Sequence, residues 1–131
     1  MSRDAQRLAD YLGHILEAIE RIDGYTAGMS DAALQSNQML QDAVIRNLEI
    51  IGEASHNVIK HHPAFAAANP DLPLNAAYQM RNAVAHGYFK VDLDIVWETV
   101  RHELPKLRAQ VATLRATHFA PFHQNFPGQM D

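Results

Sequence analysis

The chain of 131 residues contains no cysteine. Disulfides, zinc-thiolate sites and thiol nucleophiles are excluded together, and the absence suits a reducing compartment. No apolar run approaches the roughly 18 residues of a membrane span, so no membrane association is expected. The opening Met1-Ser2-Arg3-Asp4-Ala5-Gln6-Arg7-Leu8 is too polar for the core of a signal peptide, and a cytoplasmic location is expected. Positive charge is not in excess either. Lys and Arg number 11 against 15 Asp and Glu, a formal net charge of −4. The whole molecule is therefore no electrostatic magnet for nucleic acid, and DNA binding is not expected. RNA could be met only by a local basic patch, on one copy or on an oligomer. No internal repeat is present, and no alternation of apolar and polar residues is long enough for a strand.

What is present is helical period. Leu8, Leu12, Ile15, Ile19 and Ile22 predict an amphipathic helix over residues 3–23, stopped by Gly24 and Thr26-Ala27-Gly28. Ser30 predicts an N-cap for one short turn at Asp31–Leu34, because its hydroxyl can accept a free backbone N–H. Asn37 can cap the next helix, whose stripe runs Leu40, Val44, Leu48, Ile51, Ala54, Val58 until Pro63 ends it. Asn69-Pro70-Asp71-Leu72-Pro73 reads as a loop. A third helix should run from about residue 74 to His86, with Gly87 to end it. Asp92 can cap a fourth, along Leu93, Val96, Val100, Leu104, Leu107, Val111 and Leu114. Pro105 interrupts that stripe without putting it out of phase, which predicts one helix kinked near Arg101. The expected fold is all-α, an antiparallel four-helix bundle with a short extra helix over residues 1–117. Residues 118–131 form a tail rich in Phe and Pro with no helical period, whose rings either dock on the domain or meet a partner.

One stretch concentrates chemistry. Met80-Arg81-Asn82-Ala83-Val84-Ala85-His86-Gly87-Tyr88-Phe89 brings a cation, an amide, an imidazole and a phenol together at the end of an apolar helical segment. A fixed positive charge beside a group that exchanges a proton near neutral pH suits attack on a phosphodiester. On a regular helix Arg81 and His86 stand about 140° apart around the axis and about 7.5 Å along it, so they share no face. Asn82 and His86 do share one. Two copies related by a two-fold axis would gather two Arg and two His around one cleft. The plainer alternative is an Arg81 ion pair and a His86 that offsets the carbonyls of a helix C-terminus.

Other constellations point to structure. Glu53-Ala54-Ser55-His56 has the Glu-x-x-His spacing of di-iron bundles, but the second Glu-x-x-His is missing, so Glu53 is expected to meet a polar partner near the cleft. Gly52 is expected to allow close helix approach. His61-His62-Pro63, beside Lys60, reads as a solvated helix end where cations offset the terminal carbonyls, with metal capture as the lesser alternative. Trp97 reads as core in preference to a base-stacking platform. Arg46, Lys60 and Lys90 could widen a basic patch around Arg81.

The run Arg81-Asn82-Ala83-Val84-Ala85-His86-Gly87-Tyr88 resembles the Arg-x4-His-x-Tyr signature of HEPN domains, specifically HepT-type toxins. Ile50-Ile51-Gly52-Glu53-Ala54 resembles the I-G-E-A segment of that family. Val91-Asp92-Leu93-Asp94-Ile95-Val96-Trp97 and Leu104-Pro105-Lys106-Leu107 resemble its fourth helix, and Asp10-Tyr11-Leu12-Gly13-His14-Ile15 is similar to its first. The likeness covers roughly residues 4–115. It departs at Leu74, where many relatives carry Trp, and residues 118–131 have no counterpart. The resemblance implies a homodimeric bundle and a cofactor-free, metal-independent endoribonuclease that cuts tRNA or mRNA. Arg81 and His86 would be its catalytic residues, supported by Asn82. It further implies an MNT-type nucleotidyltransferase antitoxin as partner, which would transfer AMP to Tyr88. The alternative is a non-catalytic HEPN module that docks, regulates or is modified by such a nucleotidyltransferase.

Overall fold

The computed structural model describes residues 2–85 and 92–124, all of it helix, turn or short connection. Helix α1 (Arg3–Thr26) opens on Ser2, whose Oγ accepts the Ala5 N–H at 3.0 Å. It closes beyond Gly24, in a turn where Gly28 takes a φ of +72°. Helix α2 (Asp31–Ser36) is capped by Ser30, and α3 (Gln38–His61) by Asn37, as the sequence predicts. The Asn37 Oδ1 accepts the Leu40 N–H at 3.0 Å. Pro63 does end α3, but it also begins α4 (Pro63–Ala68), a short helix the sequence reading lacks. Proline at a first helical position loses no hydrogen bond, because that N–H has no partner there in any case. Helix α5 (Leu74–Ala85) accounts for the described part of the third predicted helix. Gly87, its expected terminator, lies outside the described residues.

The fourth stripe forms α6 (Leu93–Glu98), a wide π turn at Thr99–Glu103, and α7 (Leu104–Gln124). Asp92 caps α6, its Oδ1 accepting from the Asp94 and Ile95 N–H groups at 3.0 and 3.3 Å. In the wide turn the Leu104 N–H donates to Thr99, five residues back. The irregularity expected at Arg101 is thus a π turn, one of the usual sources of a helix bend. It also explains the spacing of Val96, Val100 and Leu104. Eight residues of ideal α-helix would drift about 80° off the stripe, which the wider turn absorbs. All three side chains are buried.

Cross-helix contacts fix the topology. Asp4 and Tyr11 of α1 meet His62 at the end of α3. Glu20 and Asp23 meet Arg108 of α7, while Gly13 lies under Arg115. Glu53 and His56 of α3 meet Arg81 and Tyr78 of α5. The start of α1 thus meets the end of α3, and in the α1–α7 and α3–α5 pairs the numbering runs oppositely, which makes the bundle antiparallel. Its core joins Leu12, Ile15, Ile19 and Ile22 to Val44, Leu48, Ile51 and Val58, with Leu34 of α2 closing one end and Val111 of α7 fully buried. Leu74, where the family pattern departs, is buried as well.

Two sequence expectations are corrected. His62 is not a solvated cap: its side chain is only 6% exposed, with Nδ1 3.7 Å from Asp4 Oδ2 and the ring edge-on to Tyr11. The turn into α4 and the first turns of α1 enclose it, and neither is visible in local sequence. His61 does remain exposed. Second, α7 continues past residue 118 to Gln124, further than the apolar period extends. Phe119 is buried against the core and His118 lies edge-on to Phe65 of α4, so these two rings dock on the domain itself. Residues 125–131 lie outside the described part.

Candidate functional site

The α3–α5 seam is tightest at Gly52. A Cβ built there would overlap Arg81 Cβ and lie 2.8 Å from Arg81 Cγ and 2.9 Å from the Ala77 carbonyl oxygen. Glycine is therefore required by the close approach, and that approach carries the base of the Arg81 side chain directly across α3. The expectation that Gly52 lets two helices meet is realised at the candidate cation.

Beyond that contact, the Arg81 guanidinium is fixed at two points. Its Nη1 donates to Asn82 Oδ1 at 3.0 Å, and its Nη2 lies 3.7 Å from Glu53 Oε2. The Arg81 and Glu53 side chains keep 30% and 52% of their surface exposed. This is a half-open ion pair, tethered yet within reach of a solute. Glu53 thus finds the polar partner expected of it, and that partner is the motif arginine. Asn82, expected to support His86 or contact RNA, here turns its carbonyl to Arg81 and so orients the guanidinium.

Arg81 forms one wall of an open depression of about 390 Å³ between α1, α3 and α5, lined also by His14, Arg46, Glu49, Ile50, Glu53, Ala54 and Asn57. Arg46 is mostly exposed, 3.8 Å from Glu49, and joins Arg81 there as the sequence suggests. Lys60 sits instead in the last turn of α3. His14, Glu49 and Asn57 were not singled out by the sequence. Each falls on the solvent side of an amphipathic stripe, and only the packing of three helices groups them. The depression mixes both signs of charge, so the anion-seeking character is concentrated at the arginines.

His86 and Tyr88, together with Lys90, lie outside the described residues. The half of the motif that the structure places is Arg81 with Asn82. On α3, His56 stacks on Tyr78, ring centroids 4.1 Å apart and planes at 15°. Trp97 is half-buried against the core and carries the Arg101 guanidinium 5.4 Å over its ring. Among the described residues, no helix is long and apolar enough to cross a membrane.

The family model described as Ribonuclease HepT-like matches residues 15–114, which include Gly52, Glu53 and the whole Arg81–Tyr88 motif. A protein of Thermococcus cleftensis named Probable ribonuclease HepT is 39% identical over 106 residues, 81% of this chain and 94% of that protein. One from Caldanaerobacter subterraneus, named as a candidate RNase, is 37% identical over 101 residues, 77% of this chain and 88% of its own length. A Methanocaldococcus jannaschii protein, named for both a gamma-glutamylcyclotransferase and a candidate RNase, is 40% identical over 101 residues. That match covers 77% of this chain but 44% of the relative, so the chain spans less than half of that protein. No solved structure matches. An all-helical bundle that presents the motif arginine across an obligatory glycine, within a span shared with these ribonuclease relatives, belongs to the HepT-like ribonuclease family of HEPN domains.

Proposed function

We propose that this protein is the toxin of a toxin–antitoxin pair, a metal-independent endoribonuclease that acts as a homodimer and cleaves tRNA or mRNA. The observation that carries the reading is the tethered, half-open Arg81 guanidinium, held by Asn82 and Glu53 at the wall of an open polar depression. A planar guanidinium grips two phosphate oxygens at once and opposes the charge that grows on them in the transition state. RNA carries its own nucleophile. The 2′-oxygen attacks the adjacent phosphorus, the bond to the 5′-oxygen breaks, and the products are a 2′,3′-cyclic phosphate and a 5′-hydroxyl. His86 takes the 2′-hydroxyl proton or returns one to the leaving 5′-oxygen, a task suited to imidazole. Pairing two protomers about a two-fold axis supplies two Arg81 and two His86 to one groove.

Silencing follows from the same motif. In transfer of AMP from ATP by an MNT-type nucleotidyltransferase, the Tyr88 phenolic oxygen loses its proton and bonds the α-phosphorus while pyrophosphate leaves, which adds bulk and a negative phosphate two residues from His86. Like-charge repulsion then opposes RNA entry, by the logic that governs phosphorylation.

The decisive experiment incubates wild type, Arg81→Ala and His86→Ala with total tRNA in EDTA and maps the fragment ends. Cleavage by wild type alone, with cyclic phosphate termini, is expected. A strict requirement for a divalent ion would defeat the mechanism, and intact RNA in every sample would leave a binding module that merely docks its nucleotidyltransferase. Mass spectrometry after co-expression with the nucleotidyltransferase should find the added 5′-AMP on Tyr88 and on no other residue.

A further inference from the structure

The seam that carries Arg81 has a second rung with no assigned role. Tyr78 lies three residues before Arg81 on α5, and His56 lies three residues after Glu53 on α3. Residues three apart on a helix share a face and are separated by about 4.5 Å along the axis. The stacked His56–Tyr78 pair is therefore the next rung along the seam from the Glu53–Arg81 pair. Because the backbones touch at Gly52 and Ala77, two rings cannot enter between the helices there. They stand at the edge of the seam, half-buried, as both residues are. Asn57, next to His56 in sequence, lines the same depression as Arg81 and offers one amide donor group and one carbonyl acceptor.

We infer that the stacked His56 and Tyr78 rings form a nucleobase subsite, which takes a base of the single-stranded RNA whose phosphate Arg81 holds. This rests on the ribonuclease reading and adds to it a binding surface that the motif does not contain. Every base has a π-face, so an aromatic platform accepts single-stranded RNA without demanding one sequence. The platform is already assembled, with each ring fixing the tilt of the other, so little side-chain freedom is lost when a base joins the stack. The two rungs are only about 4.5 Å apart along the helix axes, so a strand gripped at Arg81 reaches the rings with the same or the adjacent nucleotide. The Asn57 amide can then read a base edge. Duplex RNA keeps its bases paired and stacked internally and cannot use this subsite.

The test uses the full chain and a short oligoribonucleotide with 2′-O-methyl groups throughout, which lacks the attacking hydroxyl and cannot be cut. One base is the fluorescent adenine analogue 2-aminopurine, moved stepwise along the strand. Wild type should quench the fluorophore at one or two positions. Tyr78→Phe should retain the quench, and Tyr78→Leu, which keeps apolar bulk but has no π-face, should bind about tenfold more weakly and lose it. His56→Leu is the second variant, and circular dichroism verifies the fold of each. No quench at any position with wild type, or an equal quench with folded Tyr78→Leu, overturns the subsite. Cleavage of the unmodified strand by wild type is followed in parallel. Quench without cleavage keeps the subsite and removes the ribonuclease, whereas cleavage without quench does the reverse.

Discussion

The same substitution at two helical glycines should move stability in opposite directions. At Gly52 an added methyl overlaps Arg81 Cβ and presses on the Ala77 carbonyl oxygen at 2.9 Å. Neither neighbour is the free end of a flexible side chain, so α3 and α5 must part along the seam. Overpacking of this kind costs about 1–3 kcal/mol, and rigid neighbours place Gly52→Ala at the upper end. Alanine returns about 1 kcal/mol through its better helix propensity. The net loss is then about 2 kcal/mol, or about 8 °C in Tm for a chain of this length. Gly24 also lies in a helix, but nothing stands within 4 Å of a Cβ placed there. Gly24→Ala keeps only the propensity gain, about 0.5–1 kcal/mol of stabilisation. Urea denaturation followed by far-UV circular dichroism measures both. If Gly52→Ala unfolds within about 0.5 kcal/mol of wild type, the seam is not closed as described, and the positioning of Arg81 by that contact fails with it.

Three other outcomes are expected. Ser55 is fully buried and, among the described residues, its Oγ has no hydrogen-bond partner, so Ser55→Ala should leave stability unchanged or raise it by about 1 kcal/mol in urea titrations. Asp92→Ala removes the acceptor for two N–H groups at the start of α6 and should lower unfolding free energy by about 1 kcal/mol, with Asp92→Asn recovering most of it. Arg108 reaches Asp23 at 3.0 Å and Glu20 at 3.4 Å, but all three side chains are about half exposed. Arg108→Ala should therefore cost no more than about 0.5 kcal/mol, and denaturation in ~1 M salt should erase the difference.

The parts of this fold that were legible in sequence are those fixed by neighbours a few residues away. Ser30, Asn37 and Asp92 cap helices where a side-chain oxygen followed by an apolar period says they should. The stripes along α1 and α3 lie in the core as read. What escaped was set by distant residues or had no period to betray it. Helix α4 is six residues with no buried side chain, so no stripe announces it. His62 looked like an exposed helix end until Asp4 and Tyr11, more than fifty positions away, closed over it. Arg81 and Gly52 were both singled out, one for charge and one for size. That they are a single feature, an arginine laid across a glycine, required two helices to be brought together. The His56–Tyr78 stack was hidden for the same reason: neither ring is remarkable in its own helix.

The wide turn at Thr99–Glu103 has a consequence for chain length. It holds one residue more than an ordinary helical path between the same two points would need. Return to the narrower winding leaves a carbonyl without a donor in any event, and Pro105, which has no N–H to offer, stands at that interruption. Loss of a single residue within 99–103 would convert the bulge to regular helix while Asp92 stays at one end and Arg108 stays opposite Glu20 and Asp23 at the other. A deletion of one residue between Leu104 and Gln110 would instead turn all that follows by about 100° and pull Val111 out of the core. The segment is thus a slack point, a place where this arm of the bundle can shorten without letting go of its neighbours.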